Sequence, residues 1–132
     1  MHNVYLVRLH LFATWAGLLA GVSSGAVMGL LFHREDWLGG YGSFPRRLIR
    51  LGHISFFGLA LVNALFALTV ALTPLPELAA HCASIGFLVG AITMPLCCFL
   101  SAWRERCRCL FPLPVGSLFA GASFVLFILL RS

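Results

Sequence analysis

Histidine and cysteine are the residue types in this sequence that could bind a cofactor or a metal ion. The five histidines occupy positions 2, 10, 33, 53 and 81. An ionisable side chain is costly to bury inside a long apolar run, so a histidine found there is a candidate functional residue. Two histidines at matched depth on facing helices would suit axial ligation of haem or chelation of copper.

Two such pairs are predicted, one at each end of the apolar runs. His10 pairs with His81 at one end, and His53 pairs with His33 at the other. His10 and His53 share a helical face with small residues, so we expect both to point towards neighbouring helices. These four histidines are the predicted cofactor ligands, with haem b as the cofactor and copper as the alternative. A purely structural role is one alternative, because each of these histidines lies near a helix end and can reach interfacial water. A role in proton or substrate handling is another.

Four cysteines flank the end of the third apolar run and form a second candidate site. Cys97 and Cys98 lie near that end, and Cys107 and Cys109 follow it. Thiolates favour a soft metal such as Cu(I), although the spacing matches no standard zinc pattern. The alternative is that the first two are small packing residues and the last two are free surface thiols.

The carboxylates argue against several classes of function. The four acidic residues are Glu35, Asp36, Glu77 and Glu105, and all of them fall in predicted loops. No carboxylate is therefore expected inside the apolar runs for acid–base catalysis or for an ion-coupled proton relay. The sequence favours a protein that is not an enzyme and not a proton-driven transporter.

The elements that must position these residues are apolar and long. The chain of 132 residues is 61% hydrophobic and 10% charged, whereas a soluble domain is typically about 45–50% apolar and about 25% charged. Its charges separate four runs, each able to cross a hydrocarbon core of about 30 Å as a helix of about 20 residues. The sequence predicts an all-α integral membrane protein, a compact bundle of four transmembrane helices in a single domain over 1–132. The predicted helices are 9–32, 46–73, 78–103 and 111–130.

A cleaved signal peptide is the alternative for the first run. Its apolar stretch is longer than the roughly 7–15 residues of such a peptide, and Arg8 is the sole early charge. We therefore expect the first run to remain as a helix.

The arginines predict how the helices are oriented. All nine basic residues are arginine, and seven of them fall in the first and third loops. The positive-inside rule therefore places loops 33–50 and 104–110 in the cytoplasm and both termini outside, in a bacterial inner membrane. Trp37 and Trp103 lie at the predicted cytoplasmic ends of the helices, where aromatic rings prefer the headgroup layer. Topology and anionic headgroups account for the net charge of +5, so the lipid bilayer is a predicted partner and nucleic acid is not.

Small residues recur at helical spacing and predict helix–helix contacts. The first helix has glycine at every fourth position from 17 to 25, the spacing that lets helix backbones approach closely in lipid. An asparagine in the second helix should hydrogen-bond to a neighbouring helix. The predicted packing residues are Gly17, Gly21, Gly25, Asn63, Gly86 and Gly90. Such faces also suit self-association or contact with other membrane subunits.

One segment carries a resemblance to known proteins. Residues 47–58 read RLIRLGHISFFG, and Leu9 and His10 precede a glycine-rich helix. Together they resemble the histidine-bearing helices of small bacterial membrane proteins related to respiratory oxidases. The likeness covers about a third of the chain and implies a ligand role for His10 and His53. The paired and triple histidines of an oxidase catalytic subunit do not occur in the sequence.

The function predicted from these features is a non-enzymatic accessory or assembly component beside a respiratory or other redox complex, able to hold haem. It follows from histidines within apolar runs that contain no carboxylate. One alternative is a redox carrier or enzyme subunit with haem b. The other is a purely structural module built on the glycine faces.

Overall fold

The computed structural model describes residues 2–130 and contains four long α-helices. They are α1 (His2–Leu31), α2 (Phe44–Leu72), α3 (Glu77–Trp103) and α4 (Pro112–Leu129). Short 3-10 turns at Trp37–Gly39 and Glu105–Leu110 lie in the first and third loops. Four helical segments are long and apolar enough to cross a membrane. The predicted all-α architecture with four such helices is confirmed, and it suggests a membrane-embedded protein.

The helix boundaries differ most at the start of α1. This helix begins at His2 rather than near residue 9, because Arg8 does not interrupt it and its side chain stays exposed. A long basic side chain near a helix end can keep its charge in interfacial water. At the start of α2, the Ser43 hydroxyl accepts a hydrogen bond from the Arg46 amide and Pro45 occupies the first turn. Arg131, the basic residue that follows the last predicted helix and belongs with the C-terminus on the predicted outer side, lies outside the described residues.

The helices pack mainly in chain order. α1 lies against α2, α2 against α3 and α3 against α4, while α1 and α3 make few direct contacts. α3 is consequently the most buried helix, whereas α4 buries Pro114 and Gly121 and exposes most of its other residues. An apolar core that includes Leu6, Phe66 and Phe87 fills the end of the bundle near the start of α1.

Glycines set the closest approaches between helices. In α1, Cβ atoms added at Gly17, Gly21 and Gly25 would lie 2.7–3.2 Å from side-chain atoms of α2. In α3, a Cβ added at Gly86 would lie 2.6 Å from the Ser117 carbonyl oxygen of α4, and one at Gly90 would meet the side chain of Leu118. The glycines named from the sequence therefore lie at the α1–α2 and α3–α4 interfaces.

Candidate functional site

A buried histidine joins three helices through its side chain. His10 of α1 lies with Nδ1 2.6 Å from Asn63 Oδ1 of α2 and with Nε2 2.8 Å from Ser84 Oγ of α3. His10 is 0% exposed, and Asn63 and Ser84 are 1% and 3% exposed. We call these three residues the His10 network.

The hydrogen bonds of the His10 network fix the roles of its atoms. Asn63 Nδ2 donates to the Leu59 carbonyl at 2.8 Å, so the amide oxygen faces His10 and can only accept. His10 Nδ1 must therefore carry a hydrogen. In the neutral ring, Nε2 is then an acceptor, and the Ser84 hydroxyl donates to it. Both ring nitrogens are used, which leaves His10 no free electron pair for a haem iron or a metal in this arrangement.

The three members of the network lie at one depth in the bundle. His10 is eight residues after the start of α1, Asn63 nine residues before the end of α2, and Ser84 seven residues after the start of α3. Sequence analysis identified the first two residues but missed Ser84, because a single serine is common in apolar helices. Counting residues from the predicted helix ends would not have found it, because the predicted start at residue 9 puts His10 one residue deep, against ten for Asn63 and six for Ser84.

His53 has a different set of contacts. Ser24 Oγ donates to the Gly21 carbonyl at 3.0 Å, so it accepts from His53 Nδ1 at 2.9 Å. His53 Nε2 then carries a lone pair, and within residues 2–130 it has no hydrogen-bond partner. The ring is half-buried and packs edge-on against Phe57, with centroids 5.4 Å apart. A ligating histidine usually has one ring nitrogen oriented by a hydrogen bond and the other nitrogen free to bind the metal. His53 has this arrangement, with Nδ1 oriented by Ser24 and Nε2 free.

The remaining histidines do not complete the predicted pairs through hydrogen bonds. His81 Nδ1 donates to the Glu77 carbonyl one turn earlier in α3, at 2.9 Å, whereas His10 bonds to Asn63 and Ser84. His33 is exposed in the loop that follows α1.

The cysteines do not gather into a common site. All five are free, with Cys97 and Cys98 buried, Cys107 half-buried and Cys109 exposed. Cys98 packs against Gly52 of α2, and a Cβ added at Gly52 would lie 3.2 Å from the Cβ of Cys98. In the part of the chain that the structure describes, no group of three or more His, Cys, Asp or Glu side chains could hold a metal ion. The predicted thiolate site therefore gains no support from the geometry.

A buried arginine organises the first loop. Arg46 is 2% exposed, and its Cζ lies 4.7 Å from the ring centroid of Phe32 and 5.5 Å from those of Trp37 and Tyr41. Its Nη2 donates to the Phe32 carbonyl at 3.2 Å, while Nε is buried without a partner among residues 2–130. Cation–π contacts thus take the place of a carboxylate. The sequence grouped Arg46 with its exposed neighbours and did not distinguish it.

An apolar groove of about 590 Å³ lies between α1 and α3, with α2 as its floor. α1 lines it from Leu9 to Ala20, α3 lines it from Leu88 to Phe99, and α2 contributes Phe56, Leu59 and Ala60. No lining residue has a polar side chain. The groove exists because α1 and α3 both pack on α2 but barely touch one another.

Comparisons with protein-family models, with curated protein sequences and with solved structures gave no significant match.

Proposed function

We propose that this protein is a non-enzymatic accessory or assembly component of a respiratory or other redox complex in a bacterial inner membrane. It binds another membrane subunit, or a second copy of itself, through the outer face of α4. The resemblance of residues 47–58 to oxidase-related membrane proteins supports the type of complex. The geometry of α4 supports the mode of attachment.

The interior of the bundle supports a role without catalysis. His10, a fully buried titratable side chain, has both ring nitrogens bonded to residues of other helices. The four carboxylates lie in loops or at the first residue of α3, so none is available deep inside a helix for proton transfer. These polar groups hold helices together and leave no open reactive pair.

The single observation that carries the proposal is the outer face of α4. Gly116, Ala120 and Ser123 are exposed and fall on one side of the helix, and a Cβ added at Gly116 would meet nothing within 4 Å. The Ser123 hydroxyl has no hydrogen bond to any of residues 2–130, whereas Ser117 of the same helix bonds to the Pro114 carbonyl. Small residues and an unbonded hydroxyl on a lipid-facing surface suit close contact with another helix.

Affinity purification from membranes solubilised in mild detergent, comparing Gly116→Leu with wild type, tests the proposal. The matched control is Gly58→Leu, because Gly58 is also an exposed helical glycine with nothing within 4 Å of its added Cβ. We expect Gly116→Leu to lose the co-purifying subunit or the homodimer and Gly58→Leu to retain it. Equal recovery of the partner with both variants would contradict the role of α4.

The proposal includes an orientation with loops 33–50 and 104–110 in the cytoplasm and both termini outside. Arginines concentrated in these two loops support it. Cys109 is exposed in the third loop and provides a probe. A membrane-impermeant thiol reagent should label Cys109 in inverted vesicles but not in intact cells. Rapid labelling in intact cells would reverse the orientation.

A second candidate function is the binding of haem b through His53. The open Nε2 of His53, with Nδ1 oriented by Ser24, is the observation that favours it. The test is an absorption spectrum, oxidised and dithionite-reduced, of protein purified from haem-replete cells. We expect a Soret band that His53→Ala removes and that His81→Ala retains. A colourless preparation would exclude this function and leave the α4 proposal unaffected.

A further inference from the structure

The dimensions of the apolar groove fit an acyl chain. Along α1 it runs from Leu9 to Ala20, a rise of about 16 Å at 1.5 Å per residue. A volume of about 590 Å³ over that length corresponds to a width of roughly 7 Å. A single alkyl chain, about 4–5 Å wide at carbon contact distances, fits this width.

The chemistry of the groove agrees with its width. No lining residue has a polar side chain, and His10, although next to Leu9, is fully bonded inside the bundle. The groove walls therefore offer no polar side chain to a ligand that needs a hydrogen bond or a metal ligand. An acyl chain needs none.

Arginines without a carboxylate partner follow the groove at the end of α3. The last lining residue of α3, Phe99, is followed by one more turn of helix to Trp103, and Arg104 is the extended residue at which the helix ends. Arg104 and Arg106 are exposed and line a recess of about 450 Å³ together with Glu105. The Glu105 carboxylate bonds to Arg108 at 2.9 Å, so within residues 2–130 neither Arg104 nor Arg106 has an acidic partner.

We propose that one anionic phospholipid binds specifically to this protein, with an acyl chain in the groove between α1 and α3 and its phosphate at Arg104 and Arg106. The basic recess begins at Arg104, directly after the end of α3, the helix that lines the groove as far as Phe99, and this order along the chain matches the order of acyl chain and headgroup in a phospholipid. Arginine is suited to phosphate recognition because its guanidinium can donate two hydrogen bonds to one phosphate. This site is separate from the outer face of α4.

Native mass spectrometry of the full chain, purified in mild detergent from bacterial membranes, tests the proposal. We expect a population that retains one phosphatidylglycerol or other anionic phospholipid per chain. Ala16→Trp should remove this lipid, because Ala16 lines the groove and is itself exposed, so the larger ring enters the groove without disturbing the core. The matched control is Ala26→Trp, an exposed position of the same helix that does not line the groove.

A second variant tests the opposite wall in case Ala16→Trp does not fold. Ile92 of α3 also lines the groove and is 61% exposed, so Ile92→Trp should likewise lose the lipid. Retention of lipid by folded Ala16→Trp or Ile92→Trp at the level of Ala26→Trp would overturn the proposal, as would lipid-free wild-type protein.

The headgroup is tested by adding lipids to delipidated protein and measuring thermal unfolding. Phosphatidylglycerol should raise the Tm more than phosphatidylcholine, and the double variant Arg104→Gln/Arg106→Gln should lose that difference. Inorganic phosphate alone should leave the Tm unchanged, since it supplies no acyl chain. Equal effects of the two lipids on wild type, or a Tm rise with phosphate alone, would overturn the assignment. The control Arg34→Gln alters an exposed arginine in the other loop and should keep the difference.

Discussion

Asn63→Leu should destabilise the bundle because it removes the only acceptor that His10 Nδ1 has among the described residues. His10 is 0% exposed, so water cannot take the place of the amide oxygen 2.6 Å away. A buried polar group left unpaired costs about 1–3 kcal/mol, while side-chain hydrogen bonds between helices in membranes average about 0.6 and reach about 1.7 kcal/mol. We therefore expect a loss of about 1–2 kcal/mol in the free energy of unfolding.

A double-mutant cycle separates this hydrogen bond from simple packing. Asn63→Leu leaves His10 Nδ1 without its partner, and His10→Leu leaves Asn63 Oδ1 and Ser84 Oγ without theirs. The double variant leaves Ser84 Oγ alone unpaired, so the loss at Ser84 cancels in the cycle. The double variant should therefore lose less stability than the sum of the single variants, with a coupling energy of about 1 kcal/mol. Reversible unfolding in mixed detergent and sodium dodecyl sulfate micelles, followed by circular dichroism, gives the three free energies.

The matched control for the cycle is Thr69→Val. Thr69 also lies in α2, but its hydroxyl is exposed and donates to the Leu65 carbonyl of its own helix. Its loss should change stability by less than about 0.5 kcal/mol. Additivity of the His10 and Asn63 variants to within about 0.3 kcal/mol, or an Asn63→Leu variant as mild as Thr69→Val, would refute the reasoning.

Two further predictions concern packing and the first loop. Gly86→Ala should lower the detergent unfolding midpoint more than Gly90→Ala, because the added Cβ meets a backbone carbonyl of α4 at position 86 and a leucine side chain at position 90. Equal losses would show that both sites relax alike. Arg46→Gln should accelerate chymotrypsin cleavage of the purified protein within residues 32–43, since the rings of Phe32, Trp37 and Tyr41 surround the guanidinium. The exposed neighbour variant, Arg47→Gln, should be cleaved at the wild-type rate.

The helices could be predicted from the sequence because charge and apolar length decide them locally. Uncharged runs between arginine clusters are enough to place four helices of membrane-spanning length. The start of α1 was misplaced because Arg8 was taken as a boundary. Its exposed side chain allows the helix to continue through it to His2.

The contacts of the candidate site depend on how the helices are rotated, which sequence spacing does not give. His10 and Asn63 were identified separately, yet their pairing and the participation of Ser84 require three particular faces to meet. Arg46 could not be distinguished from Arg47 for a similar reason. Its burial depends on a loop that folds back through positive φ angles of 56° at Leu38, 82° at Gly39 and 91° at Gly40.

The two histidines that face other helices differ by one hydrogen bond, and that difference separates a structural role from a binding role. His10 has partners on both ring nitrogens, supplied by two other helices, so a ligand would have to break a buried bond to reach it. His53 has one partner, Ser24, which orients the ring and leaves Nε2 open. If this protein holds a cofactor, His53 is the residue to test first. A spectrum that depends on His10 rather than His53 would mean that the His10 network opens when the cofactor binds.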